Sequence, residues 1–484
     1  MVRKGMEGGS FKPLSEESIE KVHETAMRII EEVGFEVNSE PVLEYFKMAG
    51  ARVDDSKRVV RLPRKLVMEL IEGAPSQVRL CGQDEKHDVV LGGTRVYAGT
   101  GGTALYIYSS DTGRKERATL DDLKRIARLV DGLENIHVFL LPTYPNELPV
   151  ERVDVNRFYA GLDNTAKHIM GGVYTLEGVR QAIRMAEIVA GSAERLRERP
   201  IISMIACSMS PLKLDKGYGN LVVSIAESGI PLVVPAEPLC GATSPVTLAG
   251  NLAIQVVDSL MGVMLTQIVN PGTPVIFGSV AASTDLRDFK YLAGAVEMGL
   301  LNAAGAQMAQ FYRLPFYATG GMTDSKVVDA QSGYESAITN LMCALSGANF
   351  IHDAAGLMEF ALTVSYEKYV VDNDILGMVM RATEGIRVDD ETLAFDLIKQ
   401  VGPGGHFVSA KHTRRFMRSE HYEPTLSDRD NRDEWEDNGG KPAVERAADK
   451  VEEIIDRCDH SLPDDVREKI LAEITGIVEL AYAG

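Results

Sequence analysis

The chain lacks the cysteine pattern of disulfide-stabilised and zinc-stabilised proteins. Five cysteines are scattered over 484 residues, and no two of them have the CxxC spacing. An odd number of isolated cysteines disfavours a disulfide scaffold, and without paired ligands a structural zinc cluster is not expected. Any stability must therefore come from a large apolar core, which a chain of this length can form.

Basic charge and long apolar runs are also scarce. Lysine and arginine total 51 against 70 acidic residues, which gives a net charge of −19. That charge disfavours binding to nucleic acid and to anionic membranes. No signal peptide follows Met1, and no stretch of about 18 uncharged apolar residues is evident. These absences predict a cytoplasmic, soluble protein that binds neither nucleic acid nor membrane.

What the chain does contain is a recurring unit in which a short apolar run ends in small, polar or charged residues. The unit occurs eight times, and successive runs begin 30 to 43 residues apart, enough for one strand and one covering helix. This repetition predicts an α/β fold, a (β/α)8 barrel with its chemistry at the strand C-termini. The predicted strands are Arg95–Ala98, Val138–Leu141, His168–Met170, Ile201–Ala206, Leu232–Pro235, Thr273–Gly278, Pro315–Ala318 and Asn349–His352.

The barrel pattern occupies residues 91–365 and leaves a segment at each end of the chain. Residues 1–90 predict a helical N-terminal cap, whose first helix spans 14–34 with Ser15 as its N-cap and Gly34 as its stop. Residues 366–484 predict a helical C-terminal extension.

Within the C-terminal extension, the last two helices are predicted at 443–457 and 464–482. A charged loop at 427–438 precedes them, and we expect it to border the approach to the barrel mouth.

Three acidic or basic side chains at the predicted strand ends are candidate catalytic residues. His352 and Asp353 end the eighth run, where a histidine can move protons near neutral pH or hold a substrate carboxylate. Their alternative role is a hydrogen-bonded pair that closes the barrel. Glu237 ends the fifth run and can offset a cationic substrate or act as a base. Its alternative role is an ion pair with an arginine of a neighbouring loop.

Aromatic residues recur beside the same ring of strand ends. Aromatic faces around a pocket bind a quaternary ammonium group, each contact contributing about 0.5–2 kcal/mol. Plain core packing is the alternative for aromatics at strand spacing. The candidates for substrate binding are Tyr97, Tyr144, Phe277, Tyr317 and Phe360.

Two glycine-rich turns complete the predicted site. Gly101 and Gly102 follow the first strand, and Gly320 and Gly321 follow the seventh, with Asp324 close behind. In barrels the segment after strand seven is a common anion site.

A metal site has a weaker basis in the sequence. Cys207 and Cys240 follow the fourth and fifth strands, and with His352 they would make a Cys2His zinc site. Isolated cysteines in apolar runs are more often small buried side chains, so no metal is predicted.

Several motifs resemble the trimethylamine methyltransferase family. The stretch GGMTDSKVVDAQSGY at 320–334 is similar to that family, as are GTGG at 99–102 and GPGGHF at 402–407 with Lys411-His-Thr413. The motifs occur in the same order, and the resemblance runs from the first helix to the last ones.

The resemblance implies a barrel enzyme that moves a methyl group from a methylamine to the cobalt(I) of a separate corrinoid protein. The cobalamin is then held by this cognate corrinoid partner and not tightly by the chain itself. Archaeal trimethylamine members carry pyrrolysine near the segment that here is Met322–Lys326, where only standard residues occur. The chain therefore resembles the non-pyrrolysine branch, whose members demethylate quaternary amines such as glycine betaine, proline betaine and carnitine.

The expected reaction is demethylation of glycine betaine to dimethylglycine, by an enzyme that is a homo-oligomer. For the betaine carboxylate, His352 and the backbone N–H groups of 99–102 and 320–321 are the expected anchors. Two other functions stay open on sequence alone. One is a zinc-dependent corrinoid methyltransferase for a thiol or alcohol, and the other is a protein that binds a quaternary amine without chemistry.

Overall fold

Eight parallel strands form a closed barrel in the computed structural model, which describes residues 3, 5–109 and 112–478. The barrel closes because the last strand pairs in parallel with the first, with Phe350 opposite Tyr97. All eight predicted strands are confirmed. They are β1 (Arg95–Thr100), β2 (Val138–Leu140), β3 (His168–Gly172), β4 (Ile202–Ile205), β5 (Leu232–Ala236), β6 (Val275–Ser279), β7 (Phe316–Thr319) and β8 (Phe350–Ala355).

Each barrel strand is followed by a long helix. The eighth helix begins directly after residue 365, so the barrel extends beyond the boundary that the strand pattern predicts. The helices are α1 (Leu120–Asp131), α2 (Val150–Asn164), α3 (Leu176–Ala190), α4 (Lys216–Ser228), α5 (Leu248–Val269), α6 (Val296–Tyr312), α7 (Ala330–Ser346) and α8 (Tyr366–Glu384).

The N-terminal segment contains the helix that its sequence predicts, after a short strand, Met6–Glu7, that pairs antiparallel with β1. The helix Glu16–Arg28 starts at Ser15, whose hydroxyl accepts the backbone N–H of Ser18 at 3.2 Å. A π-helical turn, Ile29–Val33, continues it to Gly34, whose φ of 78° ends the helix. Such a positive φ suits glycine because no Cβ clashes with the backbone.

The rest of the N-terminal segment is not only helical, which corrects the prediction of a helical cap. Helices Glu40–Met48 and Arg64–Gly73 are joined by short strands that were too brief to show alternation in the sequence. These strands form a small sheet with Lys213–Leu214, which lies between β4 and α4. The strands are Phe35–Val37, Arg52–Asp54 and Val59–Arg61.

The barrel interior is filled at its N-terminal end, which we call the floor. A hairpin formed by Val78–Leu80 and Val89–Leu91 packs its apolar side chains against the inward-facing residues of the strands. Parallel strands present alternate residues to the interior, and these form one cluster. Its barrel members are Tyr97, Val138, Leu140, Met170, Val233, Ile276, Tyr317 and Phe350. The floor is therefore closed, and the opposite end, the mouth, is where a ligand has access.

Helix α5 is the one helix among the described residues that is long and apolar enough to cross a membrane, a feature the sequence analysis passed over. In the fold, 83% of its apolar window is buried. Its few polar residues hold the ends of β5 and β6 in place. Ser259 donates to the carbonyl of Val234 at 2.7 Å and accepts the N–H of Gly278 at 3.0 Å.

Beyond α8, the described part of the chain continues as further helices. They are Asp390–Leu393, Phe395–Val401, Lys411–Phe416, Arg432–Asp437, Ala443–Arg457 and Asp464–Glu473. The last helix ends before the predicted residue 482, and residues 479–484 lie outside the described part.

The charged loop 427–438 does not border the mouth, contrary to expectation. Asp374 in the middle of α8 holds its first residue, accepting the N–H of Ser427 at 3.1 Å. The neighbouring Asn373 bonds to Asn135, which precedes β2 at the floor.

A Ser259→Ala substitution tests the role of α5 in positioning the strand ends. Removing the hydroxyl deprives the buried Gly278 N–H of its acceptor. An orphaned buried polar group typically costs about 1–3 kcal/mol, so the free energy of unfolding is expected to fall by that amount. Urea unfolding followed by circular dichroism measures it. The exposed Ser76→Ala is the matched control, and an equal effect in both variants would contradict this role.

Candidate active site

Glu237 lies one residue beyond the end of β5, at the mouth of the barrel. It shares the inward parity of Val233, and its side chain is accessible to solvent. Burial, together with the negative charge of Asp353, nevertheless raises the pKa of its carboxyl to about 7. A side chain that is both accessible and surrounded by protein lines an internal space. The end of β3 agrees, because a Cβ on Gly172 would meet no atom within 4 Å.

The Glu237 carboxyl has no partner among the described residues. Its side chain forms no hydrogen bond or ion pair with another described residue, so the arginine pairing considered from the sequence is not present in the described part of the chain. A partnerless carboxylate in a partly desolvated cavity is energetically costly. The electrostatic energy of this carboxylate falls when a cation enters the cavity.

His352 lies within β8 and shares the inward parity of Phe350. Its ring stacks on Tyr317 with centroids 3.9 Å apart and planes inclined by 14°. Its Nε2 lies 2.5 Å from the hydroxyl of Thr319, and that hydroxyl donates its only proton to the carbonyl of Ser279. Nε2 must therefore carry a proton and donate. Nδ1 then remains, buried and without a well-aligned hydrogen bond to any described residue.

Asp353 sits beside that free nitrogen in an unusual backbone conformation. Its Oδ2 lies 3.1 Å from Nδ1 of His352, and its φ is 59°. Aspartate tolerates the left-handed region better than most residues. Its Oδ1 accepts the N–H of Gly102 at 3.2 Å. A Cβ on Gly101 would lie 2.1 Å from that oxygen, so only glycine fits beneath it. The first glycine turn therefore holds Asp353 and does not offer its Gly102 N–H to a substrate.

Tyr291 belongs to the site although the sequence analysis missed it. It lies in a hairpin, Ser283–Asp285 with Lys290–Leu292, that follows β6. Burial and the negative charges of Glu237, Asp353 and Asp324 raise the pKa of its phenol, so the ring lies among these carboxyl groups. The indication of this role in the sequence is that Tyr291 follows a strand end. The long loop between the strand and Tyr291 makes this indication hard to recognise.

Asp324 anchors that hairpin instead of facing a substrate directly. Its Oδ1 accepts the N–H of Ala293, the residue that follows the hairpin, at 2.8 Å. The segment after β7 is thereby tied to the segment after β6.

Cys207 completes the ring at the end of β4. Its side chain is accessible, yet burial and the negative charges of Glu237 and Asp258 raise the pKa of its thiol to about 12. It therefore stays protonated at neutral pH and is not a nucleophile.

Two predicted aromatic residues lie outside the site. Tyr97 is at the floor, where its hydroxyl donates to the carbonyl of Arg3 at 3.0 Å. Phe277 has the opposite strand parity and packs outside the barrel against Phe316 and Tyr312. The physical reason is the two-residue period of a strand, which the sequence analysis did not apply to each aromatic residue.

Two further aromatics lie in the loops beyond the strand ends. Tyr144 contacts the exposed ring of Tyr174, with centroids 5.8 Å apart. Phe360 is covered by Nζ of Lys326 at 4.4 Å from its centroid. Of the predicted aromatics, Tyr317 is the one that contacts a candidate catalytic side chain, so the expected aromatic cage is replaced by a cavity of tyrosines and carboxyl groups.

The backbone N–H groups of the second glycine turn already form hydrogen bonds within the protein. Gly320 donates its N–H to the carbonyl of His352 at 3.2 Å, and Gly321 donates to the hydroxyl of Thr339 at 2.9 Å. Neither N–H is therefore free to bind a substrate carboxylate.

The predicted alternative of a zinc site finds no ligand set in the described part of the chain. Among those residues, no three histidine, cysteine, aspartate or glutamate side chains are grouped so that they could hold a metal ion. Cys207, Cys240 and His352 therefore do not form the tetrahedral cluster that such a site requires.

Comparison with known proteins assigns the family. The family model described as trimethylamine methyltransferase matches residues 4–475. The chain belongs to the trimethylamine methyltransferase family. A glycine betaine methyltransferase of Desulfitobacterium hafniense (strain Y51) is 36% identical over 426 residues, covering 88% of each chain. A trimethylamine methyltransferase MttB of the strain DSM 10664 / DCB-2 is 35% identical, covering 99% of this chain and 96% of its own.

This member of the trimethylamine methyltransferase family is also similar to solved structures. The alignment with the monomethylamine methyltransferase of Methanosarcina barkeri covers 95% of this chain and 96% of that protein, with a TM-score of 0.49 and 10% identity. A hydroxylamine complex of MtmB gives the same TM-score with 11% identity.

Replacing Glu237 by glutamine tests whether its carboxyl is held in a desolvated cavity. Because its pKa rises from the usual 4.5 to about 7, the neutral form favours folding, and this contribution is lost as pH rises through 7. Glu237→Gln is thus expected to raise the melting temperature at pH 8 and to change it little at pH 4.5. Scanning calorimetry at both pH values measures the difference. The exposed Glu445→Gln is the control, and equal shifts at both pH values would refute the assignment.

Proposed function

We propose that the chain transfers a methyl group from a quaternary amine, with glycine betaine as the main substrate, to the cob(I)alamin of a partner corrinoid protein. The observation that carries this proposal is the partnerless Glu237 carboxyl at the end of β5, which lies close enough to Asp353 and Tyr291 for their electrostatic interactions to raise pKa values. The products are dimethylglycine and the methylated corrinoid.

A quaternary ammonium group suits this cavity in charge and in chemistry. It carries a permanent positive charge, which lowers the electrostatic energy of the carboxylates that face each other. It has no N–H to donate, so it does not require hydrogen-bond acceptors of fixed geometry. The tyrosine faces add cation–π attraction of about 0.5–2 kcal/mol each.

The segment after β7 supports a quaternary substrate over a tertiary one. A tertiary amine is a poor electrophile until it gains a positive charge, whereas a quaternary ammonium already has one and leaves as a neutral amine. Met322–Lys326 contains only standard residues, and Thr323 donates to Glu335 at 2.5 Å within the fold. No electrophilic group that would activate a tertiary amine is present in this segment.

The methyl transfer itself depends on alignment more than on acid–base chemistry. The carbon–nitrogen bond must point out of the mouth, and holding this orientation supplies much of the rate acceleration. The positive charge on nitrogen disappears in the transition state, so a site that stabilised it fully would slow the reaction. A carboxyl with a pKa of about 7 limits this penalty, because Glu237 can take up a proton as the positive charge on nitrogen is lost.

The betaine carboxylate requires a separate anchor. The backbone N–H groups of Gly102, Gly320 and Gly321 are already used within the fold. Nδ1 of His352 is the predicted donor that has no well-aligned partner among the described residues. A hydrogen on Nδ1 would be shared between the betaine carboxylate and Asp353, whose Oδ2 lies 3.1 Å away.

The mouth offers a surface for the corrinoid partner. Exposed apolar side chains project from loops that follow five of the barrel strands, β3 to β7. They are Tyr174, Met209, Val246, Leu286, Phe289 and Val327. Such a ring is typical of a protein-binding surface. The bound corrinoid would supply cobalt(I), a strong nucleophile that accepts the methyl group.

The proposal is tested by mixing the purified protein anaerobically with cob(I)alamin and one amine at a time. Glycine betaine is expected to remove the cobalt(I) absorbance band. Proline betaine, carnitine, choline and trimethylamine are the comparison amines, and a response to one of these instead would correct the substrate. If none of the five amines removes the cobalt(I) absorbance band in the presence of the cognate corrinoid protein, the proposed reaction is contradicted and binding without chemistry is favoured.

The carboxylate anchor is tested separately by His352→Ala. We expect it to weaken glycine betaine binding by on the order of 10- to 100-fold, since a charge-assisted hydrogen bond contributes about 1.5–3 kcal/mol. Choline has the same ammonium group but no carboxylate, so its affinity is expected to stay within about twofold. Calorimetric titration measures both. Equal losses for the two ligands would show that His352 only supports the fold of the site.

A further inference from the structure

Residues 386–417 form a segment, here named the arm, that is unusually apolar for a protein surface. Ile386 is 87% exposed, Val408 is 83% exposed and Phe395 is 70% exposed. The other large apolar side chains exposed in the arm are Val388, Leu393, Ile398, Phe407 and Met417. A contiguous exposed patch of this kind marks a surface that another molecule covers.

The helices of the arm lack the packing that would stabilise them in isolation. They are Asp390–Leu393, Phe395–Val401 and Lys411–Phe416, and none of their residues is buried. Isolated helices shorter than about 12–15 residues are marginal in water. The arm therefore requires contacts from outside its own chain to hold its helices.

The base of the arm, in contrast, is firmly attached to the barrel. The guanidinium of Arg381 on α8 donates to the carbonyl of Gly385 at 2.9 Å and to that of Glu420 at 2.9 Å. One side chain thus fixes both ends of the arm. A fixed base lowers the entropy that the arm loses when it docks.

The arm lies at the opposite end of the barrel from the mouth. Helix α8 begins at the mouth and passes the floor at Asn373, which bonds to Asn135 just before β2. Glu384 is 11 residues further along α8, about 16 Å at 1.5 Å per residue. A corrinoid partner must reach the mouth, so it is not the molecule that covers the arm.

The charges of the arm are divided between its two halves. Asp390 and Asp396 lie in the first half, Lys411 and Arg414 lie in the second, and Arg418 follows directly after the arm. None of these five side chains forms an ion pair with another described residue. A protein of net charge −19 therefore displays a basic cluster beside an acidic one. When two copies meet about a twofold axis, the acidic half of each faces the basic half of the other.

We propose that the arm is the interface with a second copy of this chain in a twofold-symmetric dimer. Its roughly 30 residues match one side of a standard interface, which has about 20–30. An open groove of about 460 Å³ at the base of the arm, lined by Met378, Ile386 and Tyr422 among others, receives apolar side chains of the second copy. The proposal concerns assembly and does not depend on the methyl-transfer reaction.

The test uses charge reversal in two variants of the full chain. One variant carries Lys411→Glu, Arg414→Glu and Arg418→Glu, and the other carries Asp390→Lys and Asp396→Lys. Light scattering after size exclusion is expected to give the wild type a mass at least twice the 52.8 kDa of one chain. Each variant alone is expected to dissociate, with a dissociation constant raised on the order of 100-fold by like-charge contacts.

Mixing the two variants distinguishes a broken interface from a misfolded chain. Their charges are complementary, so an equimolar mixture is expected to recover the wild-type mass. The matched control carries Lys57→Glu, Arg114→Glu and Lys216→Glu, on exposed sites away from the arm, and is expected to stay assembled. A monomeric wild type, assembled single variants, or a mixture that remains monomeric would each overturn the proposal.

Discussion

The electrostatic repulsion between Glu237 and Asp353 is the constraint around which the candidate site is organised. Burial, together with the negative charge of Asp353, raises the pKa of Glu237 to about 7, and that carboxyl has no described basic partner. Asp353 is held in place by the Gly102 N–H and by the absence of a side chain on Gly101. The glycine turn and the positive φ of Asp353 therefore hold the two carboxyl groups close together. The closed apolar floor helps to keep them poorly solvated.

Such an arrangement lowers the stability of the folded protein and prepares it for a cation. Carboxyl groups that repel each other in the empty cavity bind an ammonium group more strongly than solvated ones do. Glu237 takes up a proton near neutral pH. The negative charge of the cavity can therefore decrease as the substrate loses its positive charge with the methyl group. The barrel provides rigidity for this adjustment, since the hydrogen bonds of Ser259 and Gln255 on α5 fix the ends of β5 and β6.

The sequence predicts the barrel well because each strand ends where its apolar run ends. For the same reason it places Glu237 and His352 at the mouth. The sequence places Phe277 on the wrong side of the barrel wall. A shift of one residue along a strand turns a side chain from the interior to the exterior, and the apolar run alone does not define which residues point inward. The sequence misses Tyr291 because the hairpin after β6 returns a distant loop residue to the cavity. It also cannot show that the N–H of Gly320 is consumed by the neighbouring strand, since strand pairing is a tertiary property.

The most direct test of the cation cavity is the number of protons released when glycine betaine binds. Calorimetric titration at pH 7 in two buffers of different ionisation enthalpy measures this number without a corrinoid. Since the pKa of Glu237 is about 7, roughly half of the protein carries its proton before binding, so release of about half a proton is predicted. The release should disappear in Glu237→Gln. Binding without proton release by the wild type would contradict the account.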